Sequence, residues 1–242
     1  MNPNITIGHL YPDLLNLYGD RGNITALQKR LAWRGISSEL RQFVLSDEID
    51  FSQLDLVFIG GGSDREQLLV CKRLLEQKSA LQEYVETDGV LAAVCGGYQL
   101  LGSYYQLQQE TIEGLGLLDL HTESKPNRLI GKVIIQSGLF DDYIVGFENH
   151  GGRTYTSHLP LGMVKYGKGN NGEDQMEGAV YKNVIGTYLH GPVLPANPKL
   201  TDWLLSRALN RKYGEDAPPL FPLDDRQEDA AREFIIRKYL KK

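Results

Sequence analysis

With only two cysteines, Cys71 and Cys95, the 242-residue chain cannot carry a disulfide framework. Neither sits in a CxxC pair, so no structural zinc or other metal site is expected. No stretch approaches the roughly 20 apolar residues of a membrane span. The start, Met1 to Ile7, lacks the basic opening and apolar run of a signal peptide. Positive charge is in deficit, with 26 Lys and Arg against 31 Asp and Glu, and no basic run offers a nucleic-acid face. A P-loop GxxxxGK[ST] is missing too, so the chain is not expected to activate a carboxylate with ATP by itself. These absences predict a soluble, cytoplasmic protein in a reducing compartment, and its length fits one α/β domain spanning 1–242.

What is present centres on residues 91–102. Leu91 to Val94 read as a short buried strand, Cys95 follows at once, and Gly96-Gly97 lead into the helical run Tyr98 to Leu101. A strand that turns through small residues into a helix throws the turning side chain out at the sheet edge, as in a nucleophile elbow, here with a thiol. The Gly96 amide beside it can face a developing oxyanion, and the helix end is expected to favour the thiolate. Cys71, at helical spacing with Leu68 and Leu75, reads instead as core.

The chain before the elbow alternates strands at Ile5–Leu10, Ser38–Val44 and Leu54–Ile59 with helices, the pattern of parallel βαβ units. Asn23 is expected to cap a helix that buries Ile24, Leu27 and Leu31 and stops at Gly35. Helices are also predicted over Arg65–Glu76 and Ser79–Thr87. The third strand ends in Gly60-Gly61-Gly62, whose amides could approach a ligand closely; Gly61 and Gly62 are the expected second oxyanion donors. Beyond Gly102, short strands at 115–120, 132–136, 144–148, 162–166, 178–181 and 184–189 predict a largely antiparallel half. Glu123–Ile130 and Glu148–Thr154 read as polar loops, and helices at Pro198–Arg211 and Asp224–Lys238 close the chain.

A cysteine nucleophile needs a histidine delivered from a distant part of the chain. Of five candidates, His190 follows the strand Val184–Leu189 and precedes Gly191-Pro192, which places it rigidly at a strand end. His150, in a polar stretch, competes with it on geometry; His9, His121 and His158 fit less well.

Together the Gly60–Gly62 strand end, the Val94 to Gln99 elbow and the Gly186 to Gly191 strand end resemble class I, triad-type glutamine amidotransferases of the cobyric-acid-synthase-like subgroup. With the stretches 59–67, 122–128 and 146–155, the set is similar to the glutaminase subunits of lipid II isoglutaminyl synthases over nearly the whole chain. The resemblance implies a three-layer α/β fold, a central mixed, mostly parallel sheet flanked by helices. It implies Cys95 as nucleophile, His190 as base and Arg128 as the glutamine-binding residue, a role that suits a guanidinium facing an α-carboxylate. It also implies no cofactor in this chain, with ATP and magnesium used by a Mur-ligase-like partner (MurT) in a heterodimer. That partner amidates the D-isoglutamate α-carboxyl of lipid II, which would bring the complex to the inner membrane face. One departure stands out: the class commonly carries His-x-Glu, and here the third position is Pro192. A Cys–His dyad, or a carboxylate or carbonyl from elsewhere, is implied. The rival readings are the glutaminase of another amidotransferase, a stand-alone cysteine amidase, and a regulatory subunit that only binds. A glutaminase assay with and without a synthetase partner separates the glutaminase-subunit reading from the stand-alone amidase, and intact Cys95 and His190 argue against a subunit that only binds.

Overall fold

Every residue of the apolar runs Leu56–Ile59 and Val90–Val94 is buried, as central strands covered on both faces must be. The computed structural model describes residues 3–106 and 110–240. In chain order its strands and helices are β1 (Asn4–Leu10), α1 (Arg21–Ala32), β2 (Ser37–Phe43), β3 (Leu56–Ile59), α2 (Asp64–Glu76), α3 (Lys78–Glu86), β4 (Val90–Val94), α4 (Gly96–Leu100), β5 (Tyr104–Gln106), β6 (Thr111–Glu113), β7 (Leu120–Ser137), β8 (Tyr143–Thr156), β9 (Gly162–Tyr166), β10 (Met176–Glu177), β11 (Ala179–Tyr181), β12 (Val184–Thr187), α5 (Pro198–Tyr213) and α6 (Arg226–Leu240).

The first sheet has the order β11-β12-β4-β3-β1-β2, parallel except for the antiparallel edge strand β11. Its strand order reverses between the neighbours β1 and β3, and the parallel strands β3, β4 and β12 present their carboxyl ends side by side. Helix α5 packs on β3 and β4 and against α1. Ser63 starts α2 with a capping box, its side chain meeting the Glu66 amide while the Glu66 carboxylate takes the Ser63 amide. The second sheet, β10-β9-β7-β5-β6 with β8 on β7, is antiparallel apart from the β5–β7 pair. No helix among the described residues is long and apolar enough to cross a membrane.

Three expectations fail, each for a visible reason. Asn23 does not cap α1, which begins at Arg21; its side chain turns inward and accepts the Leu194 amide at 2.9 Å. Residues 115–119 form no strand, because the amides of Leu115, Leu117 and Leu118 bond the carbonyls of Leu100 and Leu101 and so terminate α4. The two polar stretches taken for loops lie in the long antiparallel pair β7–β8, with a register shift between Ser124 and Leu129. Pro126 and the Gly151-Gly152 pair mask the strand pattern there, and a bulge accommodates them.

Candidate active site

Cys95 follows β4 directly, and its backbone sits at φ 52°, ψ −106°. An L-residue rarely adopts a positive φ, and two bonds hold this one there: Cys95 N–H to the Thr187 carbonyl at 2.8 Å, and Gln99 N–H to the Cys95 carbonyl at 3.0 Å. The expected elbow is present, but the expected thiolate is not. Burial pushes the Cys95 thiol up to about 12, the neighbouring Asp20 charge adds to this, and the Gly96 amide and Arg128 oppose it. Helix α4 is a five-residue turn, too short for its dipole to outweigh burial. At rest the Cys95 thiol is neutral.

Against Cys95 lies the Gly60–Gly62 turn. A Cβ on Gly61 would come within 3.1 Å of the Cys95 Cβ, and one on Gly60 within 2.3 Å of the Leu15 carbonyl oxygen. These contacts leave no room for side chains and bring the turn's backbone to the thiol. Gly62 lines the cavity with Cys95, whereas the Gly61 amide is already committed, donating to Asp20 Oδ2 at 2.9 Å. Of the two amides expected to serve the oxyanion, only that of Gly62 is available beside Gly96.

The cavity has a volume of about 540 Å³. Cys95, Gly62, Gln67 and Gln99 line it from the first sheet's side, and Ser124, Arg128, Asn149 and His150 from the hairpin β7–β8. Arg128 lies in the bulge of β7, where backbone leaves the ladder and its side chain can be aimed. Asn149 holds it, the side-chain oxygen accepting from Nε at 2.8 Å and the carbonyl from Nη2 at 2.6 Å. Arg153 braces the same bulge, donating to the Asn127 carbonyl at 2.5 Å and to the carbonyls of Gly151 and Gly152.

The two competing histidines occupy different places. His150 lines the cavity; its ring stacks on Tyr188 with centroids 3.7 Å apart, and Nδ1 lies 2.7 Å from the Gly152 carbonyl. Its Nε2 is 3.8 Å from the Glu148 carboxylate, itself held by the amides of Lys168 and Gly169. His190 lies beyond the end of β12, the strand that pairs with β4, and exchanges backbone hydrogen bonds with Phe147 on β8. Burial lowers His190 to about 3, with the electrostatic influence of His150 and Arg128 adding to it, so its imidazole is neutral at pH 7.

Sequence reasoning overlooked Asp20, Gln67, Asn149, Arg153 and Tyr188. Gln67 carried a usable signal: it shares the inward face of α2 with Val70, Cys71 and Leu74, and a polar residue on such a face asks for a reason. Its Nε2 donates to the Gly62 carbonyl at 3.0 Å. Cys71 is core as expected, 1% exposed and directed at the Glu113 carbonyl. Tyr188 joins both sheets: its hydroxyl meets Thr154 at 2.6 Å and Gln99 at 3.1 Å, and Thr154 meets Thr122 at 2.7 Å.

Residues 6–198 match the model of the CobB/CobQ-like glutamine amidotransferase domain. The chain is 48% identical over 233 residues to the lipid II isoglutaminyl synthase (glutamine-hydrolyzing) subunit GatD of Staphylococcus aureus, covering 96% of this chain and 95% of that protein. The GatD subunit of Streptococcus pneumoniae is 44% identical over 216 residues, covering 88% and 83%. A cobyric acid synthase of Listeria monocytogenes is 32% identical over 170 residues, but these make up only 32% of that longer protein. Among solved structures, PurLQS from Thermotoga maritima superposes with a TM-score of 0.55 at 17% identity over 87% of this chain and 99% of that one, a likeness of fold.

Proposed function

The chain belongs to the CobB/CobQ-like glutamine amidotransferase family, and from that premise we propose that it is the glutamine-hydrolysing subunit of a lipid II isoglutaminyl synthase. The observation that carries the chemistry is Cys95 on its positive-φ elbow, opening into one cavity with Gly62 and Arg128. The specific acceptor rests on the near full-length likeness to the two GatD subunits.

In this reading the Arg128 fork, steadied by Asn149, takes the α-carboxylate of glutamine and sets its side-chain amide over Cys95. Because thiol and imidazole both rest neutral, the proton moves during attack: Sγ bonds to the amide carbon as His190 accepts the thiol proton. The negative oxygen is met by the amides of Gly62 and Gly96. His190 returns its proton to the departing nitrogen, ammonia leaves, and a thioester remains on Cys95. Water then adds, its proton passing to His190 and on to the sulfur as glutamate departs.

The acceptor reaction falls to a Mur-ligase-like partner that uses ATP and magnesium to activate the D-isoglutamate α-carboxyl of lipid II. Lipid II would then hold the heterodimer at the membrane face. The test mixes this chain, the partner, glutamine, ATP, magnesium and lipid II and follows amidated lipid II by mass. Amidation is expected only with both proteins and ATP, together with faster glutamine hydrolysis than by the free chain. Amidation by this chain alone, or none with the partner present, refutes the reading.

A further inference from the structure

Five backbone groups of the Gly60–Gly62 turn decide whether it can receive an oxyanion, and four are already engaged. The Gly60 carbonyl accepts from the Gly97 amide at 3.1 Å, and the Gly61 amide donates to Asp20 Oδ2 at 2.9 Å. The Gly61 carbonyl accepts from the Leu17 amide at 2.9 Å, and the Gly62 carbonyl from Gln67. The Gly62 N–H is left. In a trans peptide N–H and C=O point in opposite directions, and no peptide among the described residues is cis. Leu17 draws the Gly61 carbonyl towards the segment 14–20, so the Gly62 N–H on the same peptide points away from that segment, and Gly62 lines the cavity together with Cys95.

Two of these bonds come from one segment. A Cβ on Gly60 would strike Leu15 O and Asp20 Oδ2, and one on Gly62 would strike the Leu15 side chain, so residues 14–20 lie pressed against the turn. Asp20 is fully buried, though no packing need calls for a carboxylate there. Its charge makes the thiol harder to ionise, so activating Cys95 cannot be its purpose.

We propose that Asp20 is a positioning residue for the oxyanion hole: by holding the Gly61 amide, alongside the Leu17 bond to the Gly61 carbonyl, it fixes the peptide that presents the Gly62 N–H to the tetrahedral intermediate. The function needed is that of a hydrogen-bond acceptor. Burial raises the Asp20 carboxyl to about 7, so it serves partly in its neutral form, and an asparagine oxygen can replace it.

The inference rests on the glutaminase reading, and its test separates the two. Asp20→Asn keeps the acceptor, Asp20→Leu keeps the shape without it, and Asp20→Ala supplies a smaller alternative in case leucine does not fold. In the complex with the synthetase, each is measured for glutamine kcat and KM, and for alkylation of Cys95 by iodoacetamide, a reaction that needs the thiol but no oxyanion hole. Asp20→Leu and Asp20→Ala should lose about 10²–10³-fold in kcat, with KM within about threefold. Asp20→Asn should stay within about tenfold of wild type in kcat. Alkylation in all three should be at least as fast as in wild type, because a charge that opposes the thiolate is gone. Undiminished kcat in Asp20→Leu or Asp20→Ala, alkylation falling in step with kcat, or an Asp20→Asn variant as slow as Asp20→Leu would each overturn the inference. A wild-type complex that hydrolyses no glutamine would instead remove the functional reading beneath it.

Discussion

Gly97→Ala adds one methyl group where the elbow meets the neighbouring strand end. The new Cβ would lie 2.8 Å from both the Gly60 and Ile59 carbonyl oxygens, and also from the Ile59 side chain. Two of these three are backbone, so no rotamer change relieves the contact; α4 must lift away from β3. Overpacking of this kind costs about 1–3 kcal/mol. The Gly97 N–H bond to the Gly60 carbonyl at 3.1 Å stretches with it, a further loss of about 1 kcal/mol. Alanine recovers at most about 1 kcal/mol through its helix propensity, and less in a helix of one turn. The net expectation is destabilisation by about 2 kcal/mol. The effect on rate should be larger in proportion, because the same shift moves the Gly96 amide relative to Gly62, and a displacement of about 1 Å can cost about 10²-fold. Urea unfolding gives the first number and steady-state glutamine hydrolysis the second. Gly35→Ala is the control: its φ is +70° with nothing within 4 Å of the new Cβ, so it should lose about 1 kcal/mol from backbone strain and keep its kcat. A Gly97→Ala protein within about 0.5 kcal/mol and threefold in kcat of wild type would refute the steric reasoning, since surface-like tolerance spans about that range.

Cys95→Ala and Cys95→Gly should both be inactive in glutamine hydrolysis, but the glycine variant should unfold at higher denaturant, by about 1 kcal/mol, because φ 52° strains any L-residue; equal stability would argue against strain at the elbow. His190→Ala should lower kcat by about 10²–10⁴-fold and His150→Ala by less, and the reverse order would move the base to the histidine stacked on Tyr188. Arg128→Ala should raise the glutamine KM more than Arg128→Lys does, and Asn149→Ala should raise it as well by releasing the guanidinium; unchanged KM values would take Arg128 out of the substrate site. Burial raises Glu177 to about 8 and Asp20 to about 7, so both bind more protons folded than unfolded, and their stabilisation is full below about pH 4 and lost as pH rises through those values. His9 and His190, held down to about 4 and 3, act in the opposite sense, but only below about pH 6.5. Unfolding free energy should therefore fall between about pH 6.5 and 8.5, by at most about 1.4 kcal/mol per pH unit for each proton, and Glu177→Gln should flatten that slope; an unaltered slope in the variant would exclude Glu177 as its source.

The parallel sheet was legible because its central strands β3 and β4 are continuous apolar runs set between amphipathic helices, and a fully buried strand has little other way to be written. The elbow was legible because small residues after an apolar strand leave few alternatives to a sharp turn. The hairpin was not, since Pro126, Asn127 and the glycine pair at 151–152 carry the signature of a loop, and only the register of β7 against β8 shows them to be a bulge within a ladder. Asp20 was hidden for another reason. In sequence it belongs to a Gly-Asp turn, and that its carboxylate is fully buried against a glycine forty-one residues away is a fact of tertiary packing alone. The thiol's protonation state was misjudged because burial, the largest influence on it, has no local signature.

The hydroxyl of Tyr188 ties the elbow helix, through Gln99, to both strands of the hairpin, through Thr154 and from there Thr122. All four side chains are buried, so a bond broken among them finds no solvent to take its place. The hairpin that carries Arg128 and the elbow that carries Cys95, built on different sheets, thus share one fastening. Reshaping the hairpin therefore means changing this knot as a set, because one substitution alone leaves a buried partner unsatisfied and loosens the elbow together with the hairpin.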